Sequence, residues 1–146
     1  ALRSPLIVRV PGMDAPGVTT DALTETVDIY PTVVELFGLS TSEELGGDSF
    51  VSVLKNPDAK GPTEAFGYHR PWAYNNNPFE SGPWAKTMRT DRYRFTRWTT
   101  EIEGGELVKI ELYDHQKDPE ESNNIAGENP ALVRSLMARI NNDKKN

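Results

Sequence analysis

The chain of 146 residues contains no cysteine. Disulfides, thiolate metal sites and a cysteine nucleophile are therefore excluded within it, while the redox compartment is left open. Histidine is nearly as scarce: His69 and His115 are the two, too few for a histidine-rich metal centre. No apolar run approaches the roughly 20 residues of a membrane span. The opening ALRSPLIVRVPG has neither the charged n-region nor the long apolar stretch of a signal peptide. Positive charge is in the minority, with 16 Lys and Arg against 22 Asp and Glu, for a net charge of -6. That balance argues against a global attraction to nucleic acid or to an anionic membrane.

The residues that are present describe one domain's worth of chain with short elements. Hydrophobic residues make up 36% and the mean hydropathy is -0.60, at the polar end for a globule. Eleven prolines and eleven glycines imply many turns. Pro5 to Gly12, PLIVRVPG, is a short apolar run of the kind that forms a buried strand, over about residues 5–10. DIYPTVVELFGL predicts a helix over about 29–37. Asp28 serves as its N-cap, Pro31 sits in its first turn, Ile29, Val33, Leu36 and Phe37 form its apolar stripe, and Gly38 is its stop. Gly46-Gly47 precedes a helical turn at Ser49 to Leu54. Glu64 to Arg70 alternates like a strand, and a Pro/Asn/Gly loop carrying Trp72, Tyr74, Phe79 and Trp84 follows.

KTMRT-DR-YRFTRW, residues 86–98, reads as strand, two-residue turn and strand. Another strand is predicted over about Lys109 to Tyr113. After a long polar connection, Asn129 as cap and Pro130 at the first position open a helix over about 130–142, with Leu132, Val133, Leu136, Met137 and Ile140 as its apolar stripe. The second half is thus about four antiparallel strands with one helix on a face. The first part is a strand and a helix belonging to a different sheet. The fold class is α+β.

Three charged features invite functional readings. The four arginines of residues 86–98 would form an anion site only if they converged. Period two divides them: Tyr93, Phe95 and Arg97 share one face, Arg94, Thr96 and Trp98 the other, and Asp91-Arg92 is the turn. The stretch is read as a structural hairpin. Asp114-His115 could be a metal pair, but lies within ELYDHQKDPEE, where Asp side chains bond local backbone in turns. Asp118, Glu120 and Glu121 lack the alternating ligands and central glycine of a calcium loop and are read as solvated.

Taken in order, SPLIVRVPG, DIYPTVVELFGL, GDSFVSVL, MRTDRYRFTRW and ELYDHQKDPEESNNIAG resemble the C-terminal portion of type I sulfatases, in the alkaline phosphatase superfamily. The likeness is to the iduronate-2-sulfatase-like branch and covers nearly all of the chain. The resemblance implies that residues 1–60 are the end of a sulfatase α/β core and that residues 61–146 are a small subdomain with a four-stranded antiparallel sheet and a C-terminal helix. It implies hydrolysis of sulfate esters, with carbohydrates as the expected carriers, by a formylglycine made in a (C/S)-x-P-x-R motif and by a calcium ion held by Asp residues. No proline here is followed two residues later by arginine. Formylglycine and calcium are therefore expected in an N-terminal core preceding this chain, which is expected to be a fragment that is inactive alone.

The resemblance also places the end of the first subdomain strand near the substrate pocket. His69 and Arg70 could hydrogen-bond a sulfated or carboxylated sugar there, and Trp72 or Tyr74 could stack on its ring. Against this stands a packing role for the aromatics at a subdomain seam, with Arg70 a surface charge. The expected partners are the N-terminal core and a sulfated small molecule or carbohydrate, with self-association if the core is absent. By resemblance the location is extracytoplasmic. Two other readings stay open: a stand-alone carbohydrate-binding or interaction module, and a fragment of a related phosphodiesterase.

Overall fold

The computed structural model describes residues 4–13, 16–41, 44–70, 82–102 and 104–143. The chain divides into two compact units, the second being Phe66–Asp143 and the first comprising the chain up to Ala65.

In the first unit a 3-10 turn, Thr26–Asp28, leads into α1, Ile29–Leu36. Gly38 ends α1 with φ of 62°. Its N–H bonds the carbonyl of Glu35 while that of Leu39 reaches back to Val34. This paired closure needs a left-handed residue, which glycine adopts without penalty.

The expected N-cap role of Asp28 is not what forms. Its carboxylate turns away from α1 and accepts the N–H groups of Glu25 at 2.8 Å and Asp48 at 2.9 Å. One turn on, the Thr32 hydroxyl donates to the Asp28 carbonyl and accepts the Phe50 N–H at 3.1 Å. Asp28 and Thr32 are both buried. Gly47 lets this crossing happen, because a Cβ there would collide with the Val27 carbonyl and the Asp28 nitrogen. The second helix, α2, is Val51–Lys55, with Phe50, Val51 and Val53 buried.

Two apolar segments of this unit find no cover among the described residues. Residues 5–10 are not paired in a sheet; a strand exists only through hydrogen bonds to a neighbour, and none is supplied among the described residues. The apolar stripe of α1 is also not its buried face. Ile29, Val33 and Phe37 are exposed, Phe37 by 74%, whereas the buried positions are Pro31 and Thr32.

The second unit is built on a four-stranded sheet in the order β1 (Glu64–His69), β2 (Trp84–Thr90), β3 (Tyr93–Thr99), β4 (Leu107–Asp114). Helix α3, Pro130–Asn141, follows. The β2–β3 turn falls on Asp91-Arg92, as its sequence predicts, and the Thr90 hydroxyl accepts the Tyr93 N–H across it at 2.9 Å. Register puts Met88 opposite Phe95, and Phe95 opposite Leu112. These three side chains form one fully buried row, which Leu136 and Ile140 of α3 cover, four residues apart on one helix face. All five residues of the predicted α3 stripe pack in this cluster. Asn129, expected as a side-chain cap, instead donates its amide to the Ile125 carbonyl at 2.9 Å. The end of α3 is pinned to the sheet, with Lys86 bonding Asp143 at 3.0 Å and Arg97 bonding Asn141 at 2.6 Å.

β4 would be an open edge, but the chain returns to close it. The Asn124 side chain accepts the Leu112 N–H at 2.9 Å and donates to the Ile110 carbonyl at 3.0 Å. The Ile125 N–H then takes the Leu112 carbonyl at 2.9 Å. A side-chain amide thus stands in for a peptide of a fifth strand. Asn124→Ala removes these two bonds and a third, in which Asn124 Oδ1 accepts the Ala126 N–H at 3.1 Å, and leaves the Leu112 N–H without its acceptor, so it should cost about 1–3 kcal/mol. Urea unfolding should show a lower midpoint at unchanged slope, and a midpoint equal to that of the parent would refute the edge-closing role.

Candidate functional site

Of the four residues singled out from sequence, two are described, at the exit of β1. His69 is its last residue and Arg70 the next; both are exposed. Trp72 and Tyr74 lie outside the described residues. The Arg70 guanidinium lies over the ring of Trp84, 5.1 Å from its centroid, and Nε donates to the Gly82 carbonyl at 3.3 Å. Trp84 opens β2, so the pair joins two neighbouring strands at one end of the sheet. Alternation along β1 puts His69 on the face opposite Tyr68. Tyr68 is on the α3 side, where its hydroxyl bonds Asp143 and Lys86 lies over its ring. Trp84, two residues before Lys86, shares that side. His69 and Arg70 are thus adjacent in sequence but flank the sheet end from opposite faces, and they meet on one ligand only if it caps the strand end. Trp84 escaped the sequence reading as a partner for Arg70 because the contact depends on which strands pair.

The arginines of the hairpin each have an acceptor of their own. Arg92 makes two bonds to Asp114, at 2.9 and 2.6 Å. Arg94 makes two to Glu121, at 2.6 and 2.5 Å. Arg97 takes Asn141 and Arg89 reaches the Asp91 carbonyl. The hairpin reading holds, and no anion site forms from these four.

Asp114 also accepts the Gln116 N–H at 3.2 Å, the turn bond expected of it. Asp118 takes the N–H groups of Ser122 and Asn123, which hold its carboxyl below the ordinary range. Glu121 departs from expectation. It is half-buried, sits at φ of 58°, and bridges Arg94 to His115 Nε2 at 2.6 Å. Arg94 lies 27 residues away in sequence, so no local signal marked that pair. Among the described residues no three His, Asp or Glu side chains come together to hold a metal ion. Of the acidic cluster, Asp118 is engaged by backbone N–H groups and Glu121 by Arg94 and His115.

These pairs set the acid response. Arg92 holds the Asp114 carboxyl below its usual value, and Arg94, then His115, do the same for Glu121 against the opposing effect of burial. A carboxyl with a depressed folded-state pKa contributes stability above its unfolded value and loses it as pH falls through the folded one. Stability should therefore decline from about pH 4 downward, the ordinary carboxylate range. Glu121→Gln should cost about 1–3 kcal/mol at neutral pH, since the half-buried Arg94 loses its partner charge. The gap to the parent should narrow in acid. Urea midpoints measured at pH 7 and pH 3 test this, and a gap that widens in acid would contradict it.

The chain matches the family described as N-sulphoglucosamine sulphohydrolase, C-terminal, over residues 1–146. It is 29% identical over 138 residues to arylsulfatase K of Mus musculus, covering 93% of this chain and 24% of that protein. To an ulvan-active sulfatase of Formosa agariphila it is 30% identical over 148 residues, covering 97% and 26%. It superposes with a TM-score of 0.68 and 23% identity on a solved protein in complex with its substrate D-glucosamine-2-N,6-O-disulfate, covering 96% of this chain and 30% of that one. That likeness establishes the α+β architecture of a four-stranded antiparallel sheet with a C-terminal helix. The chain spans about a quarter of the length of these curated relatives, and it belongs to the C-terminal domain family of the sulfatases.

Proposed function

We propose that this chain is the small C-terminal part of a sulfatase that hydrolyses sulfate esters of carbohydrates. In this reading it shapes one wall of the substrate pocket, and the preceding core supplies the formylglycine nucleophile and the calcium ion. The observation that carries the proposal is the match of the whole chain to a C-terminal sulfatase family, in a sequence without the (C/S)-x-P-x-R motif. His69 and Arg70 are the pocket-lining candidates described, with Trp72 and Tyr74 proposed beside them. An extracytoplasmic location is proposed by family likeness; among the described residues no helix is long and apolar enough to cross a membrane.

The distribution of exposed apolar side chains supports the need for a core. Ile7, Val18, Tyr30, Val33, Phe37 and Leu39 of the first unit are all exposed, Ile7 by 92%. Large apolar side chains exposed in this number are what an interface would cover. The preceding core is proposed as its occupant, because the relatives are about four times longer than the stretch matched here.

Two outcomes are expected. The purified chain should not hydrolyse p-nitrophenyl sulfate, while the full-length enzyme should; turnover by the chain alone sinks the proposal. The chain alone should self-associate and bind a hydrophobic dye, and Tyr30→Ser with Phe37→Ser should reduce both. Light scattering that shows a monodisperse, dye-negative monomer for the unmodified chain would remove the argument for a covering core.

A further inference from the structure

We infer that Trp84 is a positioning residue that presents Arg70 to an oxyanion on the substrate, a sulfate or carboxylate other than the ester being cleaved. The inference rests on the pocket reading above and adds to it a residue and a substrate feature.

The cations of this unit are neutralised in different ways. Lys86, Arg92 and Arg94 each face a carboxylate, at 3.0, 2.6 and 2.5 Å respectively. Among the described residues the partners of Arg70 are the Trp84 ring and the Gly82 carbonyl, and neither cancels its charge. The side chain is exposed, yet it is held at two points. The ring attracts the guanidinium through its quadrupole, and the carbonyl uses Nε, the one nitrogen within the chain of the side chain. The two terminal nitrogens have no acceptor among the described residues, and they form the fork that matches the paired oxygens of a sulfate or carboxylate. An exposed arginine ordinarily loses rotamer freedom on binding an anion; here part of that ordering precedes the ligand, which is what preorganisation contributes to affinity.

The ester undergoing hydrolysis must lie against the nucleophile, which this chain does not contain in the proposed reading. An arginine reaching from this domain is therefore assigned to a different charged substituent of the sugar. A substrate whose single anionic group is the ester being cleaved would not engage it.

The test uses the full-length enzyme that carries this chain, with kcat and KM measured on D-glucosamine-2-N,6-O-disulfate and on p-nitrophenyl sulfate, which has no second anion. Arg70→Ala should raise KM for the disulfate by a larger factor than KM for p-nitrophenyl sulfate. Trp84→Leu should raise the same KM by about 3- to 30-fold, the range of a cation–π contact, with kcat retained. Trp84→Phe keeps a π-face and should recover most of the loss. Thermal unfolding of each variant separates a folding defect, which would impair both substrates alike, from a positioning effect, which impairs the disulfate more.

If Arg70→Ala leaves both KM values unchanged, the pocket reading itself falls. If Arg70→Ala acts but Trp84→Leu does not, or if Trp84→Phe is no better than Trp84→Leu, the positioning role falls alone. A parent enzyme that cleaves p-nitrophenyl sulfate but not the disulfate overturns the carbohydrate reading and the inference with it. Inhibition of disulfate turnover by free glucuronate that disappears in Arg70→Ala assigns the oxyanion to a carboxylate. Inhibition by N-sulfated glucosamine that disappears likewise assigns it to a sulfate. Equal inhibition of parent and variant by both compounds counts against Arg70 as the reader.

Discussion

The side-chain amide of Asn124 closes the outer edge of the sheet, and the rest of the second unit is arranged around that closure. An unpaired edge leaves backbone donors and acceptors free to pair with another chain. Here the Leu112 N–H and the Ile110 carbonyl are taken by one side chain, and the Leu112 carbonyl by the next residue's N–H. Fixing the returning chain at this point brings Ile125 and Ala126 against the core and starts α3 at Pro130. Leu136 and Ile140 then land over the Met88–Phe95–Leu112 row, and the helix ends where Lys86 and Arg97 receive Asp143 and Asn141. Two cationic side chains at a helix C-terminus also complement its dipole.

The same segment explains a spacing that had been only a family mark. In DPEESNNIA, Asp118 ties down the turn through two backbone N–H groups, Glu121 takes the left-handed position and pairs with Arg94, and Asn124 closes the sheet edge. Each role is structural. The acidic look of the segment therefore reflects, at Asp118 and Glu121, internal pairing, while Arg70 meets the Trp84 ring and a carbonyl among the described residues.

The first unit follows a different logic. Its buried centre is partly polar, with Asp28 and Thr32 satisfying backbone groups of the 48–50 segment beside Phe50, Val51 and Val53, and Ile7, Val18, Tyr30, Val33, Phe37 and Leu39 face outward. A helix whose apolar stripe is exposed while its polar stripe is bonded internally suits a surface meant to be covered. That agrees with a C-terminal domain family whose longer relatives include sulfatases, and with the proposal that the chemistry is done by residues outside this chain.

Local physical chemistry made most of the second unit legible from sequence. The Asp91-Arg92 turn, the alternation through Phe95, the Asn129-Pro130 helix start and the α3 stripe all depend on neighbours within a few residues, so sequence determined them. The PLIVRV segment shows the limit. Its apolar run signals burial, but pairing in a sheet depends on a neighbour that local pattern does not specify. Asp28 shows another, since a capping residue can bond whichever N–H the tertiary path brings closest, and Asp48 is brought there by the Gly47 crossing. Arg94 with Glu121, Asn124 with β4, and Arg70 with Trp84 were decided only by the tertiary structure, because the partners are 27, 12 and 14 residues apart in the chain and meet only once strand order and register are set.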